Sequence, residues 1–379
     1  MKLQARHRKT VSEFIRKSLP PTEEMFLRFG ACILKIRAND SEILEGLRVY
    51  FHPFVVVSGV PTYTISVHET DAVEVDLPLI PKEPDPGKSR IKEEFIDLPD
   101  GRIVRKRLTG VVFVFGAEDH IAVGPCKRNL NQIVNFINNR YIQWLLHEGG
   151  LLAHASGVLL HGFGIAIAGF SGMGKSTLSL HLLGIGADFV SNDRLVLERK
   201  ANEVIMHGVA KLPRINPGTI LNNPSLFGML SERELQRYAR MSVGELWTLE
   251  EKNDVPLDRC FPNSRFVLSA HLHALVILNW KRQDRPMDAR RVFLDERKDL
   301  LQAFRKSTGL FFLNERTPHP VDPTDDAYID RLGDIAVYEI TGGVDFQAAV
   351  AFCRSLLHAS KGVEAELHQP VGSMPCMSH

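Results

Sequence analysis

The sequence predicts an α/β chain of two domains and a tail: an N-terminal α+β domain over 1–148, an α/β domain over 149–360, and a flexible segment over 361–379. Three observations carry this. An apolar strand pattern, Ile165-Ala166-Ile167-Ala168, runs into the glycine-rich stretch Gly169-Phe170-Ser171-Gly172-Met173-Gly174-Lys175-Ser176, and a helical pattern follows over Thr177 to Leu183. Strand and helix patterns occur on both sides of that unit. The longest amphipathic pattern stops at Gly149-Gly150, which sets the border between the two domains.

The elements follow in order. Thr10 to Ser18 reads as a short helix and Phe26 to Ile36 as one strand. Asp40 to Phe51 reads as a helix capped by Asp40 or Ser41, with Ile43, Leu44 and Leu47 on one face. Thr62 to His68 alternates as a strand should. Ile80 to Arg90 carries Pro81, Pro84, Pro86 and Gly87 among charges and reads as an exposed loop. Asp100-Gly101 signals a hairpin, and Gly116 to Asp119 joins the runs Val111 to Phe115 and Ile121 to Val123. From Leu130 to His147 a helical face collects Ile133, Val134, Ile137, Tyr141, Trp144 and Leu145. Beyond the glycine-rich unit, Leu268 to Trp280 is strand-rich core and Asp299 to Phe304 part of a helix. Ala336 to Ile340 is a strand, Gly342-Gly343 a turn, and Asp345 to Leu357 a closing helix.

Composition excludes several classes. With 44% apolar and 24% charged residues the chain is ordinary globular material, and a net charge of +1 supplies no general attraction to nucleic acid or anionic membrane. The five cysteines stand at 32, 126, 260, 353 and 376 with no C-x-x-C pair, so a reducing cytoplasm is expected rather than a disulfide framework. The apolar runs are short and interrupted, which reads as neither a secreted nor a membrane-spanning chain.

The glycine-rich stretch has the residues of a phosphate-binding loop in the right context. Glycines 169, 172 and 174 permit turns that aim successive N–H groups at phosphate oxygens, and the following helix adds the positive end of its dipole. Lys175 is expected at the outer phosphates and the Ser176 hydroxyl on a bridging magnesium ion. The expected nucleotide contacts are Gly169, Ser171, Gly172, Met173, Gly174, Lys175, Ser176 and Thr177. A purely structural turn has no need of Gly-Lys-Ser in that order.

Two further pieces sharpen the expectation. His154 lies fifteen residues before Gly169, and Phe189-Val190-Ser191-Asn192-Asp193-Arg194 comes just after the loop helix. With the loop form G-x-S-G-x-G-K-S, this arrangement resembles the HPr kinase/phosphorylase superfamily, whose phosphate-loop domain is related to phosphoenolpyruvate carboxykinase. Leu275 to Trp280 looks like the strand with which that family continues its sheet. The resemblance covers roughly 149 to 285. His154 itself reads as lying on the strand that feeds the loop, and the resemblance implies a mixed sheet, ATP and magnesium as cofactors, Ser176 and Asp193 as the magnesium ligands, and His154 in the reaction centre.

The family's Asp-Asp-Arg falls on Asn192-Asp193-Arg194, so an amide stands where the family keeps its general base. Three explanations stay open: Asn192 orients the acceptor, His154 with an ordinary pKa near 6.5 takes the proton, or transfer is lost and nucleotide binding remains. The family's Ile-Arg-Gly-Leu-Gly-Ile-Ile segment is missing, and Lys211-Leu212-Pro213-Arg214-Ile215-Asn216-Pro217-Gly218-Thr219 stands in its approximate place. This departure puts the phosphorylase reaction and HPr as substrate in doubt. The chain resembles a divergent HprK-related kinase, of the group written HprK-related kinase B, more than the regulator of sugar uptake. Lys211 and Arg214 are either a clamp for an acidic or phosphorylated acceptor or solvated loop charges.

Other features weigh less. Lys281, Arg282, Arg285, Arg290 and Arg291 are interrupted by acids and read as a solvated face, not a nucleic-acid site. His271 and His273 share one side of an apparent strand without a third ligand, and His161 reads as a turn residue.

The expected protein is a cytoplasmic, magnesium-dependent kinase that carries the γ-phosphoryl group of ATP to a hydroxyl on a protein serine or a small metabolite, with Lys175, His154 and Asn192 at the reaction centre. A nucleotide-binding module without transfer, and an ATPase that moves a partner, are the alternatives. The expected partners are the nucleotide and the acceptor, with neither nucleic acid nor membrane; self-association is left open.

Overall fold

The computed structural model describes residues 1–84, 89–117, 119–249, 251–313 and 322–367. It is a mixed α/β structure of several sheets. A nine-stranded sheet is built entirely from strands between Glu23 and Gly124. A six-stranded and a four-stranded sheet are built from strands after Gly150.

In the nine-stranded sheet the apolar run around Phe26 is two strands, not one. Glu23–Phe29 pairs antiparallel with Cys32–Ala38, and the chain reverses at Gly30, φ +60°. The run stays apolar across the reversal, so its composition hides the turn. Ile80–Pro81 is a short edge strand paired with Glu94 and Phe95, where proline's missing N–H costs no ladder bond. Of the loop expected there, residues 85–88 lie outside the described residues. The helices Ser41–Tyr50 and Leu130–His147 share one core with this sheet, and Arg8–Ser18 packs in a separate cluster with Val112, Val114, Ile121 and Val123. Asp40 is the N-cap of the first of these helices, its carboxylate accepting from Glu42 N at 3.0 Å.

The six-stranded sheet runs Asp188–Ser191, Ser156–Leu160, Phe163–Gly169, Ala274–Leu278, Ala336–Thr341, Asp288–Val292. Its three central strands are parallel and its flanks antiparallel. Alternation sorts its two faces. Ile165, Ile167, Val276 and Leu278 pack with the loop helix Lys175–Leu183 and the closing helix, while Ala166, Ala168, Leu275 and Ile277 pack toward the four-stranded sheet. All eight are fully buried, and each large one contributes about 1.5–3 kcal/mol. The four-stranded antiparallel sheet is Leu151–Ala153, Leu195–Lys200, Glu203–His207, Ser269–His271.

Other expectations need adjusting. His154 does not lie on the strand that feeds the loop; it follows Leu151–Ala153 of the four-stranded sheet, just before Ser156–Leu160 enters the six-stranded one. The segment expected as helix over 299–304 is a 3-10 turn, Lys298–Ala303. The closing helix runs Phe346–Leu367, beyond the expected start of the tail, and 368–379 lie outside the described residues. His161 takes φ +50° beside Gly162 at +88°, the two-residue reversal that right-twisted hairpins prefer.

Candidate functional site

The loop lies between the C-terminal end of Phe163–Gly169 and the first turn of Lys175–Leu183. Gly172 and Gly174 have φ +82° and +86°, and a Cβ on Gly174 would come within 2.6 Å of the Phe346 ring. Both the dihedral and the neighbour therefore require glycine at 174. Trp280, buried at the end of the adjacent strand segment, donates from Nε1 to Met173 O at 2.9 Å and meets Phe346 edge-on at 5.1 Å. Closing helix and central sheet thus clamp the loop from outside. Lys175 opens the helix and donates from Nζ to Gly169 O at 2.7 Å. Burial, and then the charge of Lys306, push its ammonium pKa down, with Asp193 opposing them. Ser176 lies in the first helical turn, and Thr177 Oγ1 is 3.0 Å from Thr219 Oγ1. Ser171 and Gly172 are exposed, and Met173 packs partly against the core.

His154 Nδ1 lies 3.3 Å from Asp193 Oδ1. Burial lowers the His154 pKa to about 4; Asp193 pulls it up, and Lys175 and Lys306 push it further down. The ordinary value near 6.5 expected for this imidazole does not hold, because little water and two ammonium groups disfavour its charged form. Asp193 is the carboxylate on which these cations converge. Desolvation raises its pKa, but His154, Lys306, Arg194 and Lys175 together carry it below the usual carboxylate range. Asn192 is held through its carbonyl, which accepts from Ser156 Oγ at 2.7 Å, while its buried side-chain Oδ1 has no donor among the described residues.

The structure therefore brings Lys175, His154 and Asp193 together, with Asn192 next to Asp193 in the chain. It also adds cations. Arg194 donates to Asn139 Oδ1 at 3.0 Å, on the helix Leu130–His147. Lys211, half-buried, has its pKa lowered by burial first and then by Arg194. Its loop is tied to the N-terminal half by Asn138 Nδ2 on Ala210 O at 3.0 Å and by Leu212 N on Tyr50 Oη at 3.1 Å. Arg214 instead pairs with Asp254 at 2.8 Å. Lys306 was not legible in the sequence, since it stands in no motif and reaches the site through long-range contacts alone. Trp280 and Phe346 were visible as strand and helix residues but not as loop anchors.

Among the described residues there is no group of three or more His, Cys, Asp or Glu placed to hold a metal ion. His273 Nδ1 accepts from Gly164 N at 2.9 Å. Of the basic stretch after Trp280, Arg290 is tied to the buried Glu339 at 2.7 Å, so it is not simply solvated.

No family model and no curated protein matches the chain. Among solved structures it is similar to the HPr(Ser) kinase/phosphatase from Coxiella burnetii, at 16% sequence identity and a TM-score of 0.31, over 57% of this chain and 96% of that one. No helix among the described residues is long and apolar enough to cross a membrane.

Proposed function

We propose that the chain is an ATP- and magnesium-dependent kinase that transfers the γ-phosphoryl group to a hydroxyl on a protein serine or a small metabolite. The domain that does so is 149–360, of the HPr kinase type, set behind the α+β domain 1–148. One observation carries the reading: a loop whose glycines take left-handed backbone opens a helix at Lys175, the charges of Asp193 and Lys306 act on that lysine, and His154 lies 3.3 Å from Asp193.

The residues present fit the implied cofactors. Lys175, Arg194, Lys211 and Lys306 surround one carboxylate, an excess of positive charge suited to a polyphosphate. One carboxylate and one serine hydroxyl are a donor set that suits magnesium, which keeps most of its shell in water and phosphate oxygens. Asp193 and Ser176 would hold the ion, and when bound it neutralises charge on the phosphates. The loop amides from Gly169 to Ser176 would cradle the phosphates, with Lys175 as a point charge on them.

At neutral pH His154 is uncharged, and a group with a pKa of about 4 is a weak base. The buried Oδ1 of Asn192, which has no donor among the described residues, offers a hydroxyl an acceptor it can orient against. Phosphoryl transfer asks more of positioning than of a strong base, so orientation by Asn192 is the preferred role. The same amide favours a second reading, a nucleotide-binding module without transfer.

Calorimetric titration of ATP with magnesium into wild type and Lys175→Ala tests the binding step. The variant should keep the fold and lose at least about tenfold in affinity, the worth of a charge-assisted contact. Equal affinities would remove the basis of the reading. Nucleotide consumption with and without hydroxyl acceptors then separates kinase, binding module and ATPase.

A further inference from the structure

Lys306 stands at one end of a strap whose other end is fixed in the opposite half of the molecule. Next to the site, Phe304 O accepts from His154 N at 2.7 Å, and Arg305 forms an antiparallel bridge with Ala153. Lys306 N donates to Tyr328 Oη at 3.1 Å, and that hydroxyl donates to Leu152 O at 2.6 Å. The backbone carrying Lys306 is thus laced to the strand Leu151–Ala153 and to His154 just after it.

A few residues on, the chain crosses to the nine-stranded sheet. Arg102 Nη1 donates to Leu310 O at 2.7 Å, Arg140 Nη2 donates to Phe311 O, and His147 Nε2 donates to Leu313 O at 3.1 Å. Leu313 N returns a bond to Gln143 Oε1 at 3.3 Å. The Phe311 ring stacks on Phe115 at 5.6 Å and meets Phe113 edge-on at 5.4 Å. Arg140 is fully buried and has no carboxylate partner among the described residues; its guanidinium lies 4.4 Å from the centre of the Phe115 ring and 3.0 Å from Gln143 Oε1. A buried cation without a counter-ion is costly, and here it is spent on a carbonyl of the strap.

We propose that Lys306 is a second phosphate-binding cation of the site, acting on the terminal phosphate of the nucleotide, and that residues 307–313 are the arm by which the N-terminal half sets it there. This rests on the nucleotide reading above. Lys175 and Asp193 offset one another in charge, so a further cation is what favours a nucleotide with one more charged phosphate. Lys306 would contact that phosphate, whereas Phe311 and Arg140 are positioning residues that act through the arm.

The test compares calorimetric binding of ATP and of ADP, each with magnesium, to the full chain and to Lys306→Met, Lys306→Arg, Phe311→Ala, Phe311→Leu and the surface variant Lys281→Met. Lys306→Met should lose about tenfold of the ATP-over-ADP preference, with Lys306→Arg retaining most of it and Lys281→Met all of it. Phe311→Ala, remote from the loop, should shift the preference the same way, and Phe311→Leu less; should the alanine variant fail to fold, the leucine variant decides. An unchanged ratio in folded Lys306→Met overturns the role of Lys306. An unchanged ratio in both Phe311 variants, with Lys306→Met affected, overturns the arm. Failure of the wild type to bind either nucleotide would instead overturn the kinase reading on which the inference stands.

Discussion

His154 meets the Asp193 carboxylate at 3.3 Å and feels two ammonium groups at once, and burial, helped by the ammonium groups, prevails over the carboxylate. Its pKa of about 4 against an ordinary 6.5 has a definite sign for stability. Above pH 6.5 the imidazole is neutral folded and unfolded and contributes nothing. As pH falls from 6.5 to 4 the unfolded chain takes up the proton and the folded one does not, so stability falls across that window and then levels. The expected loss from this one residue is roughly 2–3 kcal/mol. Urea unfolding at pH 7 and at pH 4.5 checks it: His154→Gln should lose less stability between the two pH values than the wild type. An equal loss would mean that His154 titrates normally.

At the scale of an element, the outer strands of the six-stranded sheet are tied by one buried carboxylate. Glu339, 1% exposed, accepts from Arg297 at 2.7 and 3.0 Å, from Asn279 at 2.8 Å and from Arg290 at 2.7 and 3.1 Å. The Arg297 bonds first, against burial, and then those of Asn279 and Arg290 hold its pKa down to about 2. The stability this provides is complete above the ordinary value of 4.5 and is lost as pH falls toward 2. Glu339→Ala leaves the arginines without their acceptor and should cost about 2–4 kcal/mol. Thermal unfolding at pH 7 reads that cost, and a midpoint equal to the wild type's would show that the network holds nothing. The loop is an element of the opposite kind, because its conformation follows from local residue order. Its glycines and Lys175-Ser176 were therefore legible in the sequence, as was the helix Leu130–His147 from its period.

Across the whole molecule the two halves share a core. Leu152, Val196, Val209, Ala210 and Leu268 are buried in the same cluster as Phe29, Ile36 and Tyr141. A chain cut to 149–360 would bare those side chains, at roughly 1.5–3 kcal/mol for each large one that loses its cover. It should melt well below the full chain and bind a hydrophobic dye. Melting together with the full chain, and without dye binding, would show that the border at Gly149-Gly150 separates independent bodies. The N-terminal half also reaches the site, through Asn139 on Arg194, Asn138 and Tyr50 on the loop of Lys211, and Arg140 on the arm of Lys306.

The sequence by itself determined the α/β class, the glycine-rich loop with Lys175, and the helices Arg8–Ser18, Ser41–Tyr50, Leu130–His147, Lys175–Leu183 and Phe346–Leu367, since each rests on neighbours within a few positions: a glycine order, a cap, a 3.6-residue period; the short helices between Pro217 and Cys260 and the helix Asp325–Leu332 it left unread. It hid the reversal at Gly30 inside one apolar run and put His154 on the wrong strand, because the chain changes sheets there without a turn signal. Only the tertiary structure decided what surrounds Asp193. The cations that reach it stand at 175, 194, 211 and 306, and their meeting depends on which strands pair and which loops are tied down. The pKa of His154 was out of reach for the same reason, since desolvation and charge are properties of the folded neighbourhood and not of the residue.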